Sequence, residues 1–156
     1  MSGITKQAAE MRVGLRAATM DDMQFVYEVT EVAMRGYVEQ TFGPWIPEIQ
    51  KEIIGKSFDA STHQIVLVEG EPAGILAVEV RDTHLQLEKI YLLPAFQRQC
   101  IGSQLVKQLI YSVSESNKPI RLRVLAANSG ARRFYERLGF VVTEVTPQRV
   151  FMECRA

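Results

Sequence analysis

The chain has 156 residues, 18 basic and 18 acidic, for a formal net charge of zero; a single domain of this size buries about two-thirds of its unfolded surface and needs no disulfide or metal staple. Without a basic arm or stripe, nucleic acid and anionic membrane are excluded as general partners. No run approaches the roughly 18 apolar residues of a membrane span, and the opening MSGITKQAAE has no apolar signal core, which predicts a cytoplasmic protein.

Residues 1–10 read as flexible. Residues 12–18 form a first strand. Thr19 with Asp22 three positions on resembles a capping box, opening a helix in which Phe25, Val29 and Val32 recur at helical spacing to about Arg35. GYVEQTFGPWIP (36–47) then breaks the pattern with two glycines and two prolines. A second helix follows, with Ile49 and Ile53 on one face. QIVLVEGEPAGILAVEV (64–80) is a hairpin turning at Gly70-Glu71-Pro72, and HLQLEKIYLLP (84–94) is a further strand that stops at Pro94.

From Ile101 an apolar stripe of Leu105, Val106, Leu109, Ile110 and Val113 marks a helix ending near Asn117. IRLRVLA (120–126) alternates as a half-buried strand does. Asn128 or Ser129 caps another helix, stopped by Gly139. Two β runs, about 140–145 and 149–154, complete the order β-α-α-β-β-β-α-β-α-β-β: an α/β fold with a mixed, mostly antiparallel central sheet and helices on both faces. The apolar run RVFMEC near the end could pair with a second copy at a sheet edge, which leaves a homodimer beside a monomer. Cys100 and Cys154 have no metal-ligand spacing, and neither His63 nor His84 has a neighbouring ligand, so no metal is expected.

The strand ending at Pro94, the loop QRQCIGSQ and the helix behind it place unpaired backbone N–H groups at the end of the sheet, where an anion is favoured. PAFQRQCIGSQL resembles the acyl-CoA loop of the GNAT superfamily of N-acetyltransferases, with Gln97, Cys100 and Gly102 at its pattern positions; the first expected glycine is a cysteine. Downstream, NSGARRFYERLGF is similar to the family's second signature at Asn128, Ala131, Phe134, Tyr135, Gly139 and Phe140. Positive φ at Cys100 would cost about 1–2 kcal/mol; right-handed geometry would cost nearly nothing.

The resemblance implies the GNAT fold, acetyl-CoA as acyl donor and an amine as acceptor. It puts the cofactor against Ile90, Tyr91 and Leu92, whose strand splays to receive the pantetheine arm, with the Leu92 N–H facing the thioester oxygen. It adds the loop residues Gln97, Arg98, Gln99, Cys100, Ile101, Gly102 and Ser103, together with Asn128. Tyr135 is the implied general acid, or else a core tyrosine. Glu88 contacts the acceptor or relays its proton, or else is a surface carboxylate paired with a cross-strand base. The acceptor wall falls to Tyr37, Glu39, Phe42 and Trp45, or these form a hydrophobic plug. Aromatic side chains beside a carboxylate suit a small-molecule amine. A protein or peptide amine, and a non-catalytic acyl-CoA sensing module, are the alternatives.

Overall fold

A computed structural model describes residues 12–155; the opening decapeptide lies outside them. The elements are β1 (Val13–Ala17), α1 (Met23–Phe42), α2 (Pro47–Ser57), β2 (His63–Val68), β3 (Glu71–Val80), β4 (Leu85–Leu92), α3 (Ile101–Ser112), β5 (Ile120–Leu125), α4 (Ser129–Arg137), β6 (Val141–Val145) and β7 (Arg149–Cys154). They form one seven-stranded sheet in the order β1-β2-β3-β4-β5-β7-β6. Every pairing is antiparallel except β4 with β5. This is the expected α/β architecture, element for element. No helix among the described residues is long and apolar enough to cross a membrane.

Alternation along the strands divides the core in two. Val26 and Val29 of α1, with Trp45, Ile54 and Phe58, cover Ile65 and Ile75 on one face. Ile101, Leu105 and Val106 of α3, with Tyr135 and Phe140, cover Val66, Leu76, Leu87, Leu122 and Met152 on the other. Asp22 reaches back to the Thr19 N–H (2.8 Å), as the capping reading expects. A hydrogen bond from Arg16 holds its carboxyl down at about 2.

Four expectations are corrected. α1 runs past Arg35 to Phe42 and stops only at Gly43, whose φ is +102°. Glycine inside a helix costs about 1 kcal/mol, but Arg35 pairs with both Glu31 (3.5 Å) and Glu39 (3.6 Å), tying the turns on either side of Gly36. Ile49 and Ile53 do not face the core; each is half-exposed, and Ile54 is the buried residue of α2. α3 ends at Ser112, before Asn117. RVFMEC is not an edge: β7 lies between β5 and β6, so both of its hydrogen-bonding sides are occupied.

Two irregularities in the sheet shape β4. The β3–β4 register pairs Ala77 with Lys89 but Val78 with Leu87, so Glu88 is an extra residue, a β-bulge. The bulge shifts the alternation: Leu85 and Leu87 face the α3/α4 core, and so do Ile90 and Leu92, while Tyr91 packs under α1. Opposite Leu92 stands Gly74, where a Cβ would overlap the Tyr91 carbonyl oxygen and come within 2.8 Å of the Leu92 side chain. Replacing Gly74 with alanine is expected to cost about 1–3 kcal/mol of stability, roughly 2–10 °C in melting temperature. Gly14→Ala, with nothing within 4 Å of the added carbon, should melt within a degree or two of the parent (~0.5 kcal/mol); equal melting of the two variants would refute the close approach at Gly74.

Candidate functional site

β4 and β5 pair only at Leu85 with Ile120 and Gln86 with Arg121, and then part. The parting leaves one side of β4 without a strand partner. Leu93 donates its N–H to the Ala73 carbonyl of β3 (2.8 Å), and hydrogen-bond direction alternates along a strand. The N–H groups of Ile90 and Leu92 therefore point away from β3, into the gap. The gap opens into a cleft of about 1390 Å³ lined by residues of β4, α3, β5, α4 and α1.

The loop after β4 ends the gap. Gln97 folds back so that its side-chain amide donates to the Leu92 carbonyl (2.9 Å), and Gln99 does the same to Ala95 (3.0 Å). These two side chains brace the loop, and Gln97 also borders the cleft. Backbone bonding lapses between Gln97, whose N–H goes to Pro94, and Gln104, whose N–H goes to Cys100. The amides of Arg98, Gln99, Cys100, Ile101, Gly102 and Ser103 find no partner among the described residues. A row of bare N–H groups running into a helix N-terminus is an anion cradle. Ile101, buried in the α3/α4 core, pins the row in place.

Arg98 and Cys100 both have positive φ, +61° and +63°. The cysteine thus adopts the left-handed geometry that glycine takes without penalty, and it carries the strain anticipated for it. A Cβ at Gly102 would lie 3.5 Å from Phe134 of α4, an ordinary van der Waals contact, so the two sequence signatures approach each other here without requiring a glycine.

α4 starts at Asn128, whose Oδ1 accepts the Ala131 N–H (3.1 Å); the helix-capping role assigned to it is real. Just past the helix end at Arg137, Gly139, with φ of +100°, turns Phe140 back onto Tyr135. Tyr135 is thereby gripped between the rings of Phe134 (5.0 Å) and Phe140 (5.4 Å). It is buried in the core and also borders the cleft. Burial, reinforced by neighbouring Tyr91, holds the Tyr135 hydroxyl well above the ordinary phenol range. Burial likewise pushes Tyr91 up to about 12, helped by the charge of Glu88. Both phenols keep their protons at any physiological pH and can only offer them in hydrogen bonds.

Glu88 borders the cleft and meets Arg81 at 3.4 Å. Arg81 also reaches Glu79 at 3.2 Å, and this partly exposed pairing is worth little. Tyr37 and Phe42 line the cleft, the latter beneath the Arg149 guanidinium at 5.6 Å. Trp45 does not. It is buried with its Nε1–H donating to the Tyr27 hydroxyl (3.2 Å), and its backbone N–H is held by Glu39 (3.3 Å). For Trp45 the plug reading is correct, because α1 extends far enough to carry the following turn beneath it.

Two residues missed in the sequence border the cleft as well. Lys89 lies 3.3 Å from Nε2 of His63. Only the register reveals the pair: His63 stands opposite Ala77, and Ala77 opposite Lys89.

The acetyltransferase (GNAT) family matches residues 26–140 of this sequence. The chain belongs to that family. An uncharacterized N-acetyltransferase of Methanocaldococcus jannaschii is 28% identical over 142 residues, 84% of this chain; the chain spans 62% of that relative's length. The PaiA N-acetyltransferase of Thermoplasma acidophilum, solved in complex with coenzyme A, superposes with a TM-score of 0.74 at 17% identity, covering 94% of this chain and 100% of that one. The ribosomal-protein-S18-alanine N-acetyltransferase of Escherichia coli gives 0.65 at 20% identity, over 92% and 94%. These likenesses establish the GNAT fold.

In this GNAT the loop cysteine is a conformational misfit. Cys100→Gly relieves about 1–2 kcal/mol of left-handed strain and adds about 0.5–1 kcal/mol of backbone entropy cost. The net expectation is a gain of about 0–1.5 kcal/mol, up to roughly 6 °C in melting temperature. A variant that melts below the parent would show that Cys100 is not strained.

Proposed function

We propose that this chain transfers an acetyl group from acetyl-CoA to a primary amine of a small molecule, by direct attack within a ternary complex. The observation that carries the reading is the unbroken row of free amides from Arg98 to Ser103, at the mouth of a gap bordered by Tyr135. A pyrophosphate suits that row, since its charge meets only N–H donors and the positive end of α3. The free N–H groups of Ile90 and Leu92 suit an extended pantetheine amide laid along β4 as an added strand. Acetyl-CoA supplies the activated thioester, and the residues of the chain supply position and protons.

An alkyl amine with a pKa of about 10.4 must lose a proton before it can attack, which costs roughly 4 kcal/mol near neutral pH. Glu88, on the cleft wall, takes that proton directly or through water and passes it to solvent; the second proton, shed by the nitrogen as the amide forms, leaves by the same route while coenzyme A departs as the thiolate. The Leu92 N–H, preorganised by the bulge and the Gln97 brace, faces the developing oxyanion; such donors are worth about 2.7–4 kcal/mol. The Tyr135 hydroxyl gives a hydrogen bond to the leaving sulfur. Because burial keeps its proton tightly held, it acts by stabilising thiolate charge rather than by losing the proton outright. Tyr37 and Phe42 receive the apolar part of the acceptor.

The test is acetyl-CoA-dependent thiol release across a panel of small amines, with acetyl-CoA binding measured separately by calorimetry. Tyr135→Phe is expected to lower turnover by about 10²-fold with binding little changed; equal turnover removes Tyr135 from the reaction. Glu88→Gln is expected to lower turnover near neutral pH, with the deficit shrinking as pH rises toward the amine pKa of about 10.4 and fewer protons need removal. An unchanged pH profile removes Glu88. Tight binding without thiol release on any amine favours the sensing module.

A further inference from the structure

The bulge at Glu88 sets two opposite charges side by side in one wall of the cleft. In a regular strand, neighbours point to opposite faces; here Leu87 and Ile90 both face the α3/α4 core, so the bulge leaves Glu88 and Lys89 between them on the same opposite face, at the edge of the cleft. Their surroundings differ. Glu88 has Arg81 for a partner. Lys89 forms no salt bridge among the described residues, and it meets instead the imidazole of His63.

That imidazole is neutral. Its Nδ1 lies 2.8 Å from the Asp59 carbonyl oxygen, which can only accept, so Nδ1 carries the proton and Nε2 turns its lone pair to Lys89. Burial, and then the charge of Lys89, lower the His63 pKa and keep it neutral. The small Ala77 between them, in the same cross-strand row, lets the Lys89 side chain pass over β3 to His63. The result is an oriented, half-buried ammonium with a neutral hydrogen-bonding partner and no salt-bridged carboxylate among the described residues. Burial lowers its pKa, and the charge of Glu88 only partly offsets this. A partly desolvated charge without a directly paired anion is unfavourable, and an arriving anion relieves it.

We propose that the acceptor is a small amino acid whose carboxylate seats on Lys89 while its amine is presented to Glu88. The adjacent carboxylate and ammonium of the wall are the charge complement of the acceptor's own ammonium and carboxylate. This rests on the acetyl-transfer reading and narrows its substrate class. Lys89 is then a specificity residue, and His63 a positioning residue that aims it.

The test compares thiol release on common L-amino acids with release on their carboxamides, which keep the amine and lose the carboxylate. A carboxamide has the more easily deprotonated amine, so a preference for the acid must come from the site. The expected result is at least one amino acid whose kcat/KM exceeds that of its carboxamide by about tenfold or more, the worth of one charge-assisted contact. Lys89→Met, close in size and shape, should bring that ratio to about one, and Lys89→Arg should restore most of it. Circular dichroism and acetyl-CoA binding by calorimetry check that both variants are folded. Carboxamides acetylated as well as or better than every acid would overturn the carboxylate seat and leave acetyl transfer standing. So would a ratio unchanged in Lys89→Met. Retained acetyl-CoA binding with no release on any amine would overturn both.

Discussion

The early parting of β4 from β5 is the constraint on which this site depends. A parallel pair that stays in register has no free backbone between its strands; here the ladder lapses after Gln86 and Arg121. Buried amides without partners are costly, so a gap of this kind is stable only where solvent or a ligand reaches it. β4 survives the loss because its other side stays bonded to β3, and because Gly74 lets β3 approach where any larger residue would collide. The Gln97 side chain then covers the Leu92 carbonyl and leaves the neighbouring N–H open.

The same strand distributes the chemistry. One extra residue at Glu88 reassigns every later side chain of β4, sending Ile90 and Leu92 into the α3/α4 core and Tyr91 under α1. It thereby gathers a carboxylate, an ammonium and a phenol at one cleft. Burial tunes these groups in a consistent sense: phenols hold their protons, and imidazole and ammonium are discouraged from charge.

Much of the fold was legible in the sequence because its cues are local. Alternation announced the strands, 3.6-residue spacing announced the helices, and Asn128 and Gly139 marked the ends of α4 through capping chemistry. Errors arose where a distant contact outweighed a local cue. Gly36 reads as a breaker, yet α1 continues through it on ion pairs and core packing. Ile49 and Ile53 read as a core face, yet packing turns Ile54 inward. RVFMEC reads as an edge strand, yet sheet order places β6 outside it.

The site divides along the same line. Sequence by itself determined the order of elements, the loop of unpaired amides before α3, the Tyr135 helix and the GNAT resemblance, since each is a short-range pattern of residue types. Only the tertiary structure decided that Trp45 is core, that Cys100 is left-handed, and that His63 and Lys89 touch across Ala77. Those facts depend on register and backbone dihedrals, which arise when distant strands pair and which no local run of residues encodes.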